Sequence, residues 1–224
     1  MTKAATKTQY FTPELFAFLL ELRYNNTRDW FTANKPRYEE VVKKPLLAFI
    51  EDFASVLEKI NPQFEATSRS MFRIHRDTRF SADKSPYKTA ASAQFRHRLA
   101  TRDVHMPGFY LHLEPDNCFL AAGMWMPEPE NLARIRAAIA RQDYRWTELR
   151  KKLEIGDEGK LKRPPKGYEA DHPMIEDLKH RSFTASIDLL ERDVCSKGFM
   201  DTVTKGFRKL NPLNVFLSEV MLLR

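Results

Sequence analysis

Between positions 73 and 88 the chain reads Arg73-Ile74-His75-Arg76-Asp77-Thr78-Arg79-Phe80-Ser81-Ala82-Asp83-Lys84-Ser85-Pro86-Tyr87-Lys88. Three guanidinium groups packed this closely repel one another unless acids or a bound anion lie among them. Each is permanently charged and presents a planar fork of donors that suits the oxygens of phosphate, sulfate or carboxylate. Asp77 and Asp83 hold some of the bases in place, and two acids among so many cations leave donors free for an anionic guest. The expected anion ligands are Arg73, Arg76, Arg79, Lys84 and Lys88, with a hydroxyl contact from Tyr87. If the site turns a substrate over, its cations stabilise negative charge in the transition state. Asp77, Asp83 or His75 then acts as general acid or base, and on a strand His75 shares a face with Arg73. Ser81 and Ser85 have no evident base beside them in sequence and read as turn hydroxyls.

The distribution of charge supports a site in this region. The 224 residues carry 37 lysines and arginines against 30 acids, a formal charge of +7. Residues 69–102 hold Arg69, Arg73, Arg76, Arg79, Lys84, Lys88, Arg96, Arg98 and Arg102 against Asp77 and Asp83 alone. That window carries the whole excess, and the rest of the chain is balanced. Two other readings stand beside a pocket for a small anion. An Arg–Asp lattice can simply tie a loop to a sheet. A basic stretch in a chain of pI near 9.4 also fits a phosphate-backbone footprint, which makes nucleic acid the rival partner. No helix–turn–helix, zinc finger or RNA-recognition motif is readable, and acids within a duplex-binding surface oppose the phosphates. A compact pocket tolerates such acids better, because they orient the arginines.

Several chemistries are excluded or disfavoured. The seven glycines form neither G-x-G-x-x-G nor G-x-x-x-x-G-K-[ST], so Rossmann and P-loop nucleotide sites lack their turns. There is no G-x-S-x-G elbow and no H-E-x-x-H helix. His75, His97, His105, His112, His172 and His180 have no short ligand spacing, and the many arginines disfavour a cation. Neither a metal nor a cofactor is expected. No apolar run approaches the roughly 20 residues of a membrane span. Residues 1–10 are expected to be a flexible N-terminus, polar and without a signal peptide's apolar core. With Cys118 and Cys195 distant in sequence, a cytoplasmic protein with reduced thiols is expected.

The elements that must position the basic run are legible from periodicity. Thr12-Pro13-Glu14 starts a helix carrying Leu15, Phe18, Leu19 and Leu22, and Asn25-Asn26 stops it. Thr27 caps a second helix through Trp30 and Phe31, whose aromatic face is expected in the core. Tyr38, Val42, Leu46, Phe49, Phe53, Val56 and Ile60 continue the helical period, with a kink or two abutting helices at Pro45. Strands are expected at 71–74, 89–95 and 183–187, with a hairpin of 109–113 and 118–125 around Pro115-Asp116-Asn117. Helices return after Pro127, and two last helices are expected, the second starting at Asn211-Pro212 and running to Leu223. The fold class is α+β: N-terminal helices, a central antiparallel sheet of about four or five strands, and C-terminal helices. A single domain over 11–224 is expected. Asn26, Asn34, Lys35 and His172 are polar residues that could reach the basic loop.

Read as a pattern, R-x-x-R-D-x-R-F followed by [DN]-K-x-x-Y is carried by Arg73, Arg76, Asp77, Arg79, Phe80, Asp83, Lys84 and Tyr87. In these residues the chain resembles a widely distributed, mostly bacterial family of conserved proteins of unknown function. The resemblance extends to Asn25-Asn26, Trp30-Phe31, Asn34-Lys35 and Tyr38, and to Pro165-Lys166-Gly167-Tyr168 with Asp171-His172-Pro173. It implies a shared fold and a shared site region, and it brings no reaction with it.

Overall fold

The computed structural model describes residues 8–100, 103 and 105–222. Residues 1–7 of the expected flexible start, Arg102 of the basic window and Leu223 lie outside the described residues. Gln9 and Tyr10 are hydrogen-bonded to the body, through Cys195 O at 2.8 Å and Asp52 at 2.6 Å.

The chain opens with α1 (Pro13–Tyr24) and α2 (Arg28–Tyr38), the latter capped by Thr27, whose hydroxyl accepts from the Trp30 amide. Glu39–Lys43 then widens into a π turn that leads into α3 (Lys44–Ile60). Pro45 lacks an amide donor, and the break expected there takes the form of this π turn running directly into α3. Five strands follow: β1 (Phe64–Glu65), β2 (Ala91–His97), β3 (Gly108–Leu113), β4 (Cys118–Met124) and β5 (Phe183–Leu189). They form one antiparallel sheet in the order β1-β2-β3-β4-β5. Between β4 and β5 lie α4 (Pro129–Ala140), α5 (Tyr144–Arg150) and α6 (Ile175–Leu178), and α7 (Glu191–Val194) and α8 (Phe199–Val220) close the chain. The fold is α+β. No helix among the described residues is long and apolar enough to cross a membrane.

Two expectations are corrected. The stretch 71–74 is not a sheet strand: it makes a lone bridge from Met71 to Ala93, and the outermost strand of the ladder is β1. The chain instead turns back on itself, with Arg76 N donating to Pro86 O and Lys88 N to Ile74 O. Pro86 has no amide to extend that pairing into a ladder. The two expected C-terminal helices are one, because α8 runs straight through Asn211-Pro212. Pro212 lies on the exposed side of α8, where water can serve the carbonyl that the proline leaves without a donor.

Alternation gives the sheet two unlike faces. Phe95, Phe109, Leu111, Leu120 and Ala122 point inward and pack under α3 and α8. An aromatic cluster of Phe53, Phe64, Phe95, Phe109 and Phe207 links the layers at centroid distances of 4.9–5.9 Å. In β4, Gly123 adopts φ +124°, and a Cβ there would lie 2.0 Å from Phe183 O, so only glycine fits. The opposite face carries polar side chains at the intervening positions, among them Ser92, Tyr110 and His112.

Candidate functional site

The polar face of β2 and β3, the loop 72–90 and the end of α1 enclose a cleft of about 580 Å³. Phe72 stands against Tyr110 with ring centroids 6.0 Å apart and forms an apolar wall. Lys88 lies across that wall, its ammonium 4.9 Å from the Phe72 ring centroid. Burial, and then the nearby Arg73 charge, lower its pKa. Among the described residues no carboxylate lies within ion-pair reach of the Lys88 ammonium. A half-buried cation without a counter-charge is uncommon, because its desolvation is normally offset by a partner.

The loop holding Lys88 is fastened from the far side. The Asn26 side chain accepts from Tyr87 N at 3.0 Å and donates to Tyr87 O at 2.9 Å, supplying both hydrogen bonds of a missing strand partner. Tyr87 is buried and stacked on Phe31 with centroids 4.1 Å apart. Arg76 is paired with Asp83, which also accepts from the Ser85 hydroxyl and amide. The Ser85 bonds, followed by Arg76, hold the Asp83 carboxyl well below the usual carboxylate range.

The cleft floor carries a chain of hydrogen bonds along alternate residues of β3. Tyr110 Oη lies 3.0 Å from His112 Nδ1, and His112 Nε2 lies 3.2 Å from Glu114 Oε2. Glu114 also receives the Thr89 hydroxyl at 2.8 Å, the Asn117 amide at 3.2 Å and Arg23 at 3.4 Å. Burial raises the Glu114 pKa, but the bonds from Thr89, His112 and Asn117 outweigh it and leave the carboxyl below its ordinary range. The phenol of Tyr110 is pushed up by burial, and a hydrogen bond from Ser92 offsets part of that rise. Phe119 of β4 stacks on the His112 ring at 4.8 Å and fixes its plane.

The structure divides the residues singled out in sequence. Arg76, Asp83, Tyr87 and Lys88 line the cleft, and Arg73 is exposed beside Lys88. Asp77 and Arg79 do not line it. They form a bidentate pair on the outer loop at 2.7 and 2.9 Å, which holds Asp77 near a pKa of about 2. Phe80 beside them is 94% exposed. Lys84 points away from the cleft and donates to Thr78 O at 2.9 Å. His75 is exposed, with its ring against Tyr87 and Phe31 and not against Arg73 across a strand face. Of the outlying polar residues Asn26 reaches the loop, whereas Asn34 bonds to Trp30 O and His172 to the Met174 amide. Sequence reasoning missed Arg23, Ser92, Tyr110 and Glu114, and it weighed His112 only as a metal ligand. One signal was present: Tyr110-Leu111-His112-Leu113-Glu114 alternates polar and apolar residues, which on a strand puts three functional groups on one face.

The fold and cleft define an α+β protein whose basic loop folds over the polar face of an antiparallel sheet. A family model described as a conserved hypothetical protein, DUF2461, matches residues 14–216, and the chain belongs to that family. A search among curated proteins finds no match.

Proposed function

We propose that the cleft binds a small molecule through its phosphate or carboxylate group. One observation carries this reading. Lys88 holds a half-buried ammonium at the cleft wall without a carboxylate partner, while Arg76 and Arg23 in the lining are already paired with Asp83 and Glu114. An anion seated there supplies the missing counter-charge, and charge-assisted bonds to lysine and arginine are the stronger class of hydrogen bond. The sign of the Lys88 shift fits this role. Its folded pKa is depressed, so the folded state holds that proton less tightly than the unfolded chain, and keeping the desolvated charge costs stability.

The experiment is a calorimetric titration with inorganic phosphate. Lys88→Met is expected to lose about tenfold or more in affinity, the worth of one charge-assisted hydrogen bond, without a fall in Tm. Equal affinity in the two proteins refutes the assignment.

Binding to nucleic acid draws less support. Arg79 is paired with Asp77 on the outer loop, and Asp77 and Asp83 on the same loop would oppose a phosphate backbone. We also propose a cytoplasmic location, a reading supported by Cys118 and Cys195 as free thiols.

A further inference from the structure

The floor of the cleft has a polarity that follows from its three-member chain. A carboxylate only accepts hydrogen bonds, so the hydrogen between His112 and Glu114 sits on His112 Nε2. The neutral ring then has its lone pair on Nδ1, and the Tyr110 hydroxyl must donate to it. With its one hydrogen spent on His112, the Tyr110 oxygen meets the cleft as an acceptor. Ser92, opposite His112 in the β2–β3 register, hydrogen-bonds the Tyr110 hydroxyl, leaving a lone pair for a ligand. The charged groups around this chain are Glu114 just after β3, Arg23 on α1, and Arg76, Asp83 and Lys88 on the loop. Gln94 of β2 and Phe119 of β4 carry no charge.

We infer that the ligand is a hydroxylated phosphate or carboxylate, whose anionic group sits on Lys88 and whose hydroxyl donates to Tyr110. This rests on the anion-binding reading and adds the second point of recognition. Tyr110 is then the residue that touches the ligand hydroxyl, while His112 and Glu114 are positioning residues that set which way its own hydroxyl points.

Two probes of matched length test this. Glycerol 3-phosphate and propyl phosphate share the anionic group and differ in their hydroxyls. The protein is expected to bind glycerol 3-phosphate about tenfold more tightly. In Tyr110→Phe that preference is expected to vanish while propyl phosphate affinity is retained, and Lys88→Met should weaken both ligands alike. Equal binding of the two probes by the unaltered protein overturns the hydroxyl assignment and leaves the anion site standing. Failure of both to bind overturns the anion site itself. An independent readout is the tautomer of His112 from ring nitrogen chemical shifts. Protonation at Nε2 is expected, and protonation at Nδ1 would turn the Tyr110 hydroxyl into a donor and sink the inference.

Discussion

Arg76 and Arg79 sit three residues apart in the same run, and sequence gives no reason to treat them differently. The fold separates them: Arg76 lies against the cleft with Asp83, whereas Arg79 clasps Asp77 on the outer loop with its side chain 76% exposed. We expect Arg76→Gln to weaken phosphate binding several-fold and Arg79→Ala to leave it unchanged, both measured by the same titration. Arg79→Ala is not expected to shift Tm by more than about 2 °C, because its exposed ion pair with Asp77 contributes little. Lys88 was legible as a candidate ligand because it belongs to a stretch rich in bases. Tyr110, His112 and Glu114 were not, since each alone is an ordinary strand residue and their meaning lies in sharing one face.

The loop that carries Lys88 depends on contacts from elements distant in sequence. Asn26 lies at the turn between α1 and α2, yet its amide makes both backbone hydrogen bonds that hold Tyr87. That turn was read in sequence as a helix stop, and a stop it is, but the clamp needs the three-dimensional approach of two segments. Asn26→Ala removes both bonds and leaves a Tyr87 amide and carbonyl to find new partners. The expected cost is about 1–3 kcal/mol, or roughly 3–9 °C in Tm. Phosphate affinity should fall with it, because Lys88 follows Tyr87 directly. An unchanged melting curve would show that the Phe31–Tyr87 stack alone holds the loop. The strand expected at 71–74 failed for a related reason: local alternation cannot show that the chain leaves β2 after Met71 and Phe72 and pairs instead with its own residues 86–88.

For the molecule as a unit, two buried histidines away from the cleft are expected to contribute a pH dependence of stability. His97 accepts the Leu99 amide on Nδ1, so its Nε2 carries a hydrogen and has no partner. His180 is likewise buried, with Nδ1 unbonded. Burial lowers the pKa of both, with Lys160 adding to the effect at His180. The unfolded chain therefore binds more protons than the folded one below neutrality. Stability is fully present above the ordinary histidine pKa of about 6.5 and declines as pH falls below it. Melting curves at several pH values are expected to show that decline, and His97→Gln should make it shallower. The order of helices, sheet and helices was readable because hydrophobic periodicity survives in a single sequence. The continuity of α8 was not, because tolerance of Pro212 depends on which side of the helix faces water.

The anion site is tested most directly by soaking crystals in selenate, whose selenium gives an anomalous signal that water and chloride do not match. We expect a peak in the cleft within hydrogen-bonding distance of Lys88 Nζ, between the Phe72 wall and Arg76. Selenate found only on the outer loop near Arg79, or a cleft holding water at selenate concentrations that populate other sites, would contradict the assignment.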